Sequence, residues 1–149
     1  QEFELSKNRM EVKKVDGVTI INDCYNANFD SMKAAIEYLK GLEGKRKIAV
    51  LGDMLELGEF SKQLHEKIGE QIIKQKIDIL ITVGNEAKNI ALTAEKQGMD
   101  VRNIYFCENN ADVIKIVQDK KQEQDCILVK ASNGMNFKQI IEALIPTNN

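Results

Sequence analysis

Short apolar runs alternate with amphipathic patterns along most of this chain. Five runs have the length and the β-branched content of buried strands, and they cover residues 18–23, 47–52, 77–83, 101–107 and 126–130. After each run, apolar residues recur at helical spacing, as they do in Met32, Ala35, Ile36 and Leu39. The pattern therefore predicts five strands, each followed by a helix.

A further strand is predicted ahead of the first run. Residues 9–15 and 18–23 flank Asp16-Gly17, and an Asp-Gly pair between strand-like segments indicates a hairpin because its turn needs positive φ angles. The predicted fold is α/β: a Rossmann-like, doubly wound, mostly parallel sheet of about six strands with an antiparallel amino-terminal edge strand. Residues 1–8 lack periodicity and are predicted to be a severed interdomain linker, with one domain at 9–149.

Polar residues just before the helical patterns are candidate N-caps. Asp30 or Ser31 is predicted to cap the first helix and Ser61 the second. Gly98 is predicted to stop the third helix, and Pro146 to end the last.

Composition narrows the function classes. The 149 residues carry a net charge of -2, so neither sign dominates, and we expect no nucleic-acid partner. No apolar run approaches the roughly 20 residues that span a bilayer, so no membrane insertion is expected. The sequence has no CxxC motif and only one histidine, which argues against a zinc site. Of the three cysteines, Cys107 and Cys126 lie in or beside apolar strand patterns, so we expect buried free thiols in a reducing cytoplasm.

The strongest candidate site is the polar loop that follows the strand at 18–23. Asp23 ends that strand, where a carboxylate can accept both hydroxyls of a ribose. Tyr25, Asn26 and Asn28 could position a phosphate or a substrate amide, although an Asn-rich turn explains them equally. Arg9 could reach an anion, and an exposed strand arginine is the alternative.

Other strand ends offer weaker candidates. Asp53 and Glu56 are either a carboxylate pair or a capping residue and a solvated one. His65 lies in a helical stripe, where a lone histidine is more often structural than catalytic. Lys130, followed by Ser132-Asn133-Gly134, could bind a carboxylate, or the segment could be a turn with a capping serine.

A phosphate-binding loop is absent from the sequence. The pattern G-x-x-x-x-G-K-[ST] is approached only at Gly44-Lys45-Arg46, which lacks the hydroxyl residue and precedes a strand. If the protein uses ATP, another domain must hold most of it.

Four segments carry a resemblance to a known family. They are Asn-Arg-Met-Glu-Val at 8–12, Asn-Asp-Cys-Tyr-Asn-Ala-Asn at 22–28, Leu-Gly-Asp-Met-Leu-Glu-Leu-Gly at 51–58 and Leu-Val-Lys-Ala-Ser-Asn-Gly-Met at 128–135. Together they resemble the C-terminal domain of the Mur ligases. The second and third segments are specific to the branch that adds D-alanyl-D-alanine to UDP-N-acetylmuramoyl-tripeptide in peptidoglycan precursor synthesis.

The resemblance implies the last third of a three-domain, ATP-dependent ligase. The other domains would bind the UDP-linked tripeptide and hold most of the ATP and Mg²⁺, and this fragment alone would be inactive. On closure, the implied nucleotide contacts are Arg9, Asp23, Tyr25, Asn26 and Asn28. The implied candidates for the dipeptide pocket are Asn109, Asn110, Lys130, Ser132 and Asn133. The chain departs from the family at Phe29, Ala131 and Asn133, where Pro, Gly and Arg are common.

Two alternatives from other classes remain at this stage. A receiver-like signalling domain would place acids, a hydroxyl and a lysine at strand ends, as Asp23, Asp53, Thr82 and Lys130 are placed. The hairpin, the long polar loop and the lack of a second acid beside Asp23 argue against it. The other alternative is a stand-alone nucleotide-binding module.

Overall fold

The computed structural model describes residues 10–24 and 27–145 of the chain. The strands are β1 Glu11–Val15, β2 Val18–Asp23, β3 Arg46–Gly52, β4 Ile79–Val83, β5 Ile104–Cys107 and β6 Asp125–Lys130. The α-helices in the described part are α1 Phe29–Gly41, α2 Ser61–Lys74, α3 Lys88–Lys96, α4 Asn110–Lys120 and α5 Lys138–Leu144. Short 3₁₀ turns occupy Gly58–Phe60, Val101–Asn103 and Asn133–Met135.

The six strands form one sheet in the order β1-β2-β6-β3-β4-β5. β1 pairs antiparallel with β2, and the other neighbours pair parallel. The connecting turn has φ angles of 53° at Asp16 and 82° at Gly17, as the Asp-Gly signal requires. The predicted fold and its antiparallel edge strand are confirmed.

Helices cover both faces of the sheet. On the first face, Met32 and Leu39 of α1, Ile68 of α2 and Ile90 of α3 belong to one buried cluster. On the second face, Val117 of α4 and Leu144 of α5 belong to another. β6 is the last strand in sequence order but lies between β2 and β3 in the sheet. It therefore joins the β1–β2 hairpin to the strands β3, β4 and β5.

The N-terminus of α1 differs from the prediction. Asn28, rather than Asp30 or Ser31, is the N-cap. Asn28 Oδ1 accepts the Ser31 N–H over 2.9 Å, and Ser31 Oγ accepts the Asn28 N–H over 3.1 Å. This reciprocal capping box satisfies two backbone donors at once, which a cap at either later residue could not do.

Two other local predictions were wrong. Ser61 does not cap α2: it is the first residue of that helix, and its hydroxyl donates to Glu86 Oε1 over 2.6 Å. Residues 101–103 form a 3₁₀ turn instead of starting β5, because Asp100 Oδ1 accepts the Arg102 N–H over 2.9 Å and tightens the chain there.

The cysteines are free, as expected. Cys107 and Cys126 are buried and Cys24 is half-buried. In the part of the chain that the structure describes, no helix has the length and apolar character to cross a membrane.

Helices α2 and α3 approach closely at Gly69. A Cβ added there would lie 2.6 Å from the Ile90 carbonyl oxygen and 2.7 Å from Thr93 Cβ, whereas one added at Gly41 would meet nothing within 4 Å. We expect Gly69→Ala to lower the free energy of unfolding by about 1–3 kcal/mol through overpacking. Gly41→Ala, the matched control, should leave it unchanged or raise it by up to about 1 kcal/mol. Urea denaturation of both variants checks this, and equal midpoints would contradict the close contact.

Candidate functional site

The carboxyl ends of the five parallel strands meet at one edge of the sheet. β2 and β3 lead into α1 and α2 on the first face, whereas β6, between them, leads into α5 on the second face. Loops that leave neighbouring strands in opposite directions open a crevice at the strand ends, and ligands of α/β proteins bind in such crevices. The predicted site residues at the ends of β2 and β6 flank this point.

Asp23 and Lys130 form a buried ion pair at this edge of the sheet. They are the last residues of β2 and β6 and lie opposite each other in the strand register. Lys130 Nζ donates to Asp23 Oδ2 over 2.9 Å, and the side chains are 1% and 10% exposed. Of the two interpretations that the sequence left open for Lys130, one was a contact with a carboxylate, and in the described part of the chain its ammonium contacts that of Asp23.

Cys24 extends the same strand end. Its Sγ–H points to the Val129 carbonyl oxygen at 3.6 Å. Burial, and secondarily the nearby Asp23 carboxylate, raises the pKa of the Cys24 thiol to about 12. Burial also raises the pKa of Cys107, to about 11.

These pKa values predict unreactive thiols. Because the thiolate is the nucleophile, Cys24 in the folded protein should react with iodoacetamide at pH 8 about a thousandfold more slowly than in the urea-unfolded chain. Cys107 should be slowed by about a hundredfold by the same reasoning. Pulsed alkylation followed by peptide mass spectrometry measures both rates. Labelling of Cys24 at the unfolded rate would contradict the raised pKa of its thiol.

The loop after β3 is held by hydrogen bonds to the segment before α3 and to the segment after β6. Asp53 Oδ1 accepts the Ala87 N–H over 2.7 Å, and burial raises the pKa of this carboxyl. The Asp53 carbonyl oxygen accepts the Ser132 N–H over 3.1 Å, and Ser132 Oγ accepts the Leu55 N–H over 2.8 Å. Asp53 therefore binds the backbone just before α3, and Glu56 is exposed.

His65 of α2 has a structural role, because it supports the same loop. The ring is fully buried; its Nε2 accepts the Met54 N–H over 3.0 Å, and its Nδ1 lies 2.7 Å from the Ser61 carbonyl oxygen. These partners assign the neutral tautomer with its proton on Nδ1. Among the residues that the structure describes, no group of three or more His, Cys, Asp or Glu side chains is placed to hold a metal ion.

The loops after β5 and β6 are joined by an asparagine. Asn110 Nδ2 donates to the Met135 and Asn136 carbonyl oxygens over 3.2 and 3.1 Å. Asn109 caps α4 by accepting the Asp112 N–H over 2.9 Å. Three of the predicted dipeptide candidates, Asn109, Asn110 and Ser132, thus have side chains in intramolecular hydrogen bonds.

Some predicted site residues cannot be placed. Arg9, Tyr25 and Asn26 lie outside the described residues, and so does the side chain of Asn133. Asn28 is described, and its side chain serves the capping box of α1.

Comparison with known proteins identifies the family. The family model described as Mur ligase, glutamate ligase domain, matches residues 8–133. The chain belongs to this family. A curated relative, the UDP-N-acetylmuramoyl-tripeptide--D-alanyl-D-alanine ligase of Bacillus subtilis (strain 168), is 42% identical over 139 residues, which are 92% of this chain and 30% of that protein. The protein of the same name from Buchnera aphidicola is 37% identical over 142 residues, 93% of this chain and 29% of that protein.

Solved structures of Mur ligases show the same architecture. MurF ligase from Thermotoga maritima, in complex with ADP, is 29% identical with a TM-score of 0.76 over 91% of this chain and 30% of its own. MurF from Acinetobacter baumannii is 26% identical with a TM-score of 0.77 over 93% and 30%. The chain thus spans about 30% of the length of the relatives that it matches. Membership of the Mur ligase family does not favour the receiver-like or stand-alone alternatives.

The structure explains two departures from the Mur ligase pattern. Ala131 is fully buried above Gly52, where an added Cβ would lie 2.7 Å from both Ala131 Cβ and Phe137 Cζ. The alanine methyl therefore fills space that Gly52 leaves open. Phe29 is the first residue of α1 and packs against the first-face core, a position where proline would also be compatible with the helix.

Sequence reasoning missed three features of this Mur ligase site. It did not find the Asp23–Lys130 pair, the hydrogen bonds that His65 and Ser132 accept from the backbone of the loop after β3, or the capping box. Only the last had a local signal, since Asn28 and Ser31 are three residues apart.

Proposed function

We propose that this domain is the C-terminal third of an ATP-dependent ligase that joins D-alanyl-D-alanine to UDP-N-acetylmuramoyl-tripeptide. The observation that carries the proposal is the 42% identity, across 92% of this chain, to a ligase of that name. We further propose that residues 1–8 belong to an interdomain linker and 9–149 to the domain. Such a ligase would work in the cytoplasm, in peptidoglycan precursor synthesis.

The nucleotide is assigned to the crevice at the end of β2. The Thermotoga relative is a complex with ADP, which supports an adenine nucleotide as the ligand. Asp23 would accept hydrogen bonds from the ribose hydroxyls, and the other proposed nucleotide contacts are Arg9, Tyr25, Asn26 and Asn28. Because this sequence has no phosphate loop, the phosphates and Mg²⁺ would be held by the rest of the ligase.

The dipeptide is assigned to the loops after β5 and β6. Asn110 Nδ2 donates to the Met135 and Asn136 carbonyl oxygens, and this link between the two loops supports a single pocket that includes Asn109, Asn110, Ser132 and Asn133. Their backbone groups and the Asn133 side chain are the candidates for holding a zwitterionic dipeptide. Precise placement of its amine would supply much of the rate.

The chemistry accounts for a mobile third domain. A carboxylate oxygen of the tripeptide attacks the γ-phosphorus of ATP, which gives an acyl phosphate and ADP. The dipeptide amine then attacks the acyl carbon, loses a proton, and inorganic phosphate leaves. Because water would hydrolyse the acyl phosphate, a domain that closes over the nucleotide protects the intermediate.

The test uses the full-length ligase with ATP, Mg²⁺ and the UDP-linked tripeptide. We expect one phosphate released per amide formed when D-alanyl-D-alanine is the amine, and no product with D-glutamate or a diamino acid. The 149-residue chain alone should show no turnover. Preference for another amine would contradict the dipeptide assignment, and turnover by the isolated chain would contradict the division of labour between domains.

A further inference from the structure

We propose that Lys130 is a positioning residue, which orients the Asp23 carboxylate toward the nucleotide ribose and does not itself bind a substrate. The inference rests on the proposed function, in which Asp23 contacts ATP. It replaces the assignment of Lys130 to the dipeptide carboxylate.

The strand register places the two residues together. β6 lies between β2 and β3, so Lys130 stands opposite Asp23 on one side and Leu51 on the other. Two residues earlier, Ile21 of β2 and Leu128 of β6 belong to the first-face core under α1. Because side chains alternate along a strand, Asp23 and Lys130 point to this same covered face.

Burial separates the roles of the two side chains. Lys130 is 1% exposed, so its ammonium has almost no surface to offer a substrate, whereas Asp23 is 10% exposed. A charged group this deep is stable only when it is paired and hydrogen-bonded. The Asp23 carboxylate is the more exposed member of the pair, and the contact with the ligand is therefore assigned to it.

The salt bridge also selects which carboxylate oxygen a ligand would meet. Lys130 holds Asp23 Oδ2 at 2.9 Å. The ribose hydroxyl is therefore assigned to the other carboxylate oxygen, Oδ1. Without the Lys130 ammonium, the carboxylate could rotate, and its hydrogen bond to the ribose would lose its fixed geometry.

The experiment measures steady-state kinetics of the full-length ligase carrying Lys130→Met. We expect the KM for ATP to rise about 10- to 100-fold, the loss expected for one charge-assisted hydrogen bond, with the KM for D-alanyl-D-alanine within about twofold of wild type. With 2′,3′-dideoxy-ATP, which lacks the hydroxyls, the variant and wild type should have similar KM values. Adding Lys130→Met to Asp23→Asn should raise the ATP KM no more than about twofold further.

Lys47→Met is the matched control. Lys47 is a second buried lysine, 7% exposed, whose Nζ donates to the carbonyl oxygens of Lys40 and Leu42 near the other end of the sheet. Its loss should alter stability and leave the ATP KM unchanged. If Lys130→Met does not fold, Lys130→Gln, which retains a hydrogen-bond donor, is measured in the same way, and a rise in ATP KM is again expected.

The outcomes separate this inference from the proposed function. An active wild type whose Lys130 variants keep a normal ATP KM, or show a raised dipeptide KM instead, overturns the positioning role alone. A wild type that does not join the dipeptide with ATP overturns the proposed function, and the positioning role falls with it.

Discussion

Replacing Asp23 by alanine is expected to lower the free energy of unfolding by about 3–5 kcal/mol, because the Lys130 ammonium would stay buried without its carboxylate. This large loss of stability is expected because Lys130 Nζ contacts Asp23 Oδ2 at 2.9 Å and the Lys130 side chain is only 1% exposed. Urea denaturation of the 149-residue chain, followed by circular dichroism, measures it. Kinetic studies of Asp23 therefore need the nearly isosteric Asp23→Asn as well as alanine.

A double variant provides the control for this prediction. Asp23→Leu combined with Lys130→Met removes both charges, and it should be within about 2 kcal/mol of wild type, since replacing a buried pair by apolar residues is often close to neutral. If Asp23→Ala were as stable as wild type, the pair would not be buried as described. If the double variant were the less stable of the two, the ion pair itself would be the stabilising element.

Gly84→Ala is expected to have a comparable effect at the end of β4. The residue has a φ of +111°, and an added Cβ would lie 2.5 Å from Asp53 Oδ1 and 2.7 Å from its Cγ. The backbone strain should cost about 1–2 kcal/mol. Displacing the Asp53 carboxylate from the Ala87 N–H should add about 1–3 kcal/mol. Thermal or urea unfolding gives the sum.

Gly98→Ala is the control that measures the cost of the backbone strain alone. Gly98 has a φ of +110°, almost the same as Gly84, and an added Cβ there would meet nothing within 4 Å. The difference between the two variants therefore reports the contact with Asp53. Equal losses in the two variants would show that Asp53 does not pack against Gly84.

The elements of the fold were predictable because their signals are local. Each buried strand contains a short apolar run, and the Asp16-Gly17 pair specifies a turn with positive φ angles. The ends of elements were less predictable, since they depend on competing hydrogen bonds. At 100–103, a side-chain bond from Asp100 to the backbone outweighs the strand preference of Val101.

The candidate site was predictable only in part because its geometry depends on strand order. Sequence placed Asp23 and Lys130 at strand ends, but their pairing requires β6 to insert between β2 and β3. They are 107 positions apart in the chain (130 minus 23), and no spacing rule connects them. The same holds for Ser132 and Leu55, which meet only because β6 also pairs with β3.

A crystal structure of the full-length ligase with ADP in its closed form tests the central claim most directly. That claim is that this domain presents Asp23 to a nucleotide held mainly by the rest of the protein. We expect Asp23 Oδ1 within about 3 Å of a ribose hydroxyl, with Lys130 still on Oδ2. A closed complex in which the ribose is bound by other residues, with Asp23 beyond hydrogen-bonding distance, would contradict it.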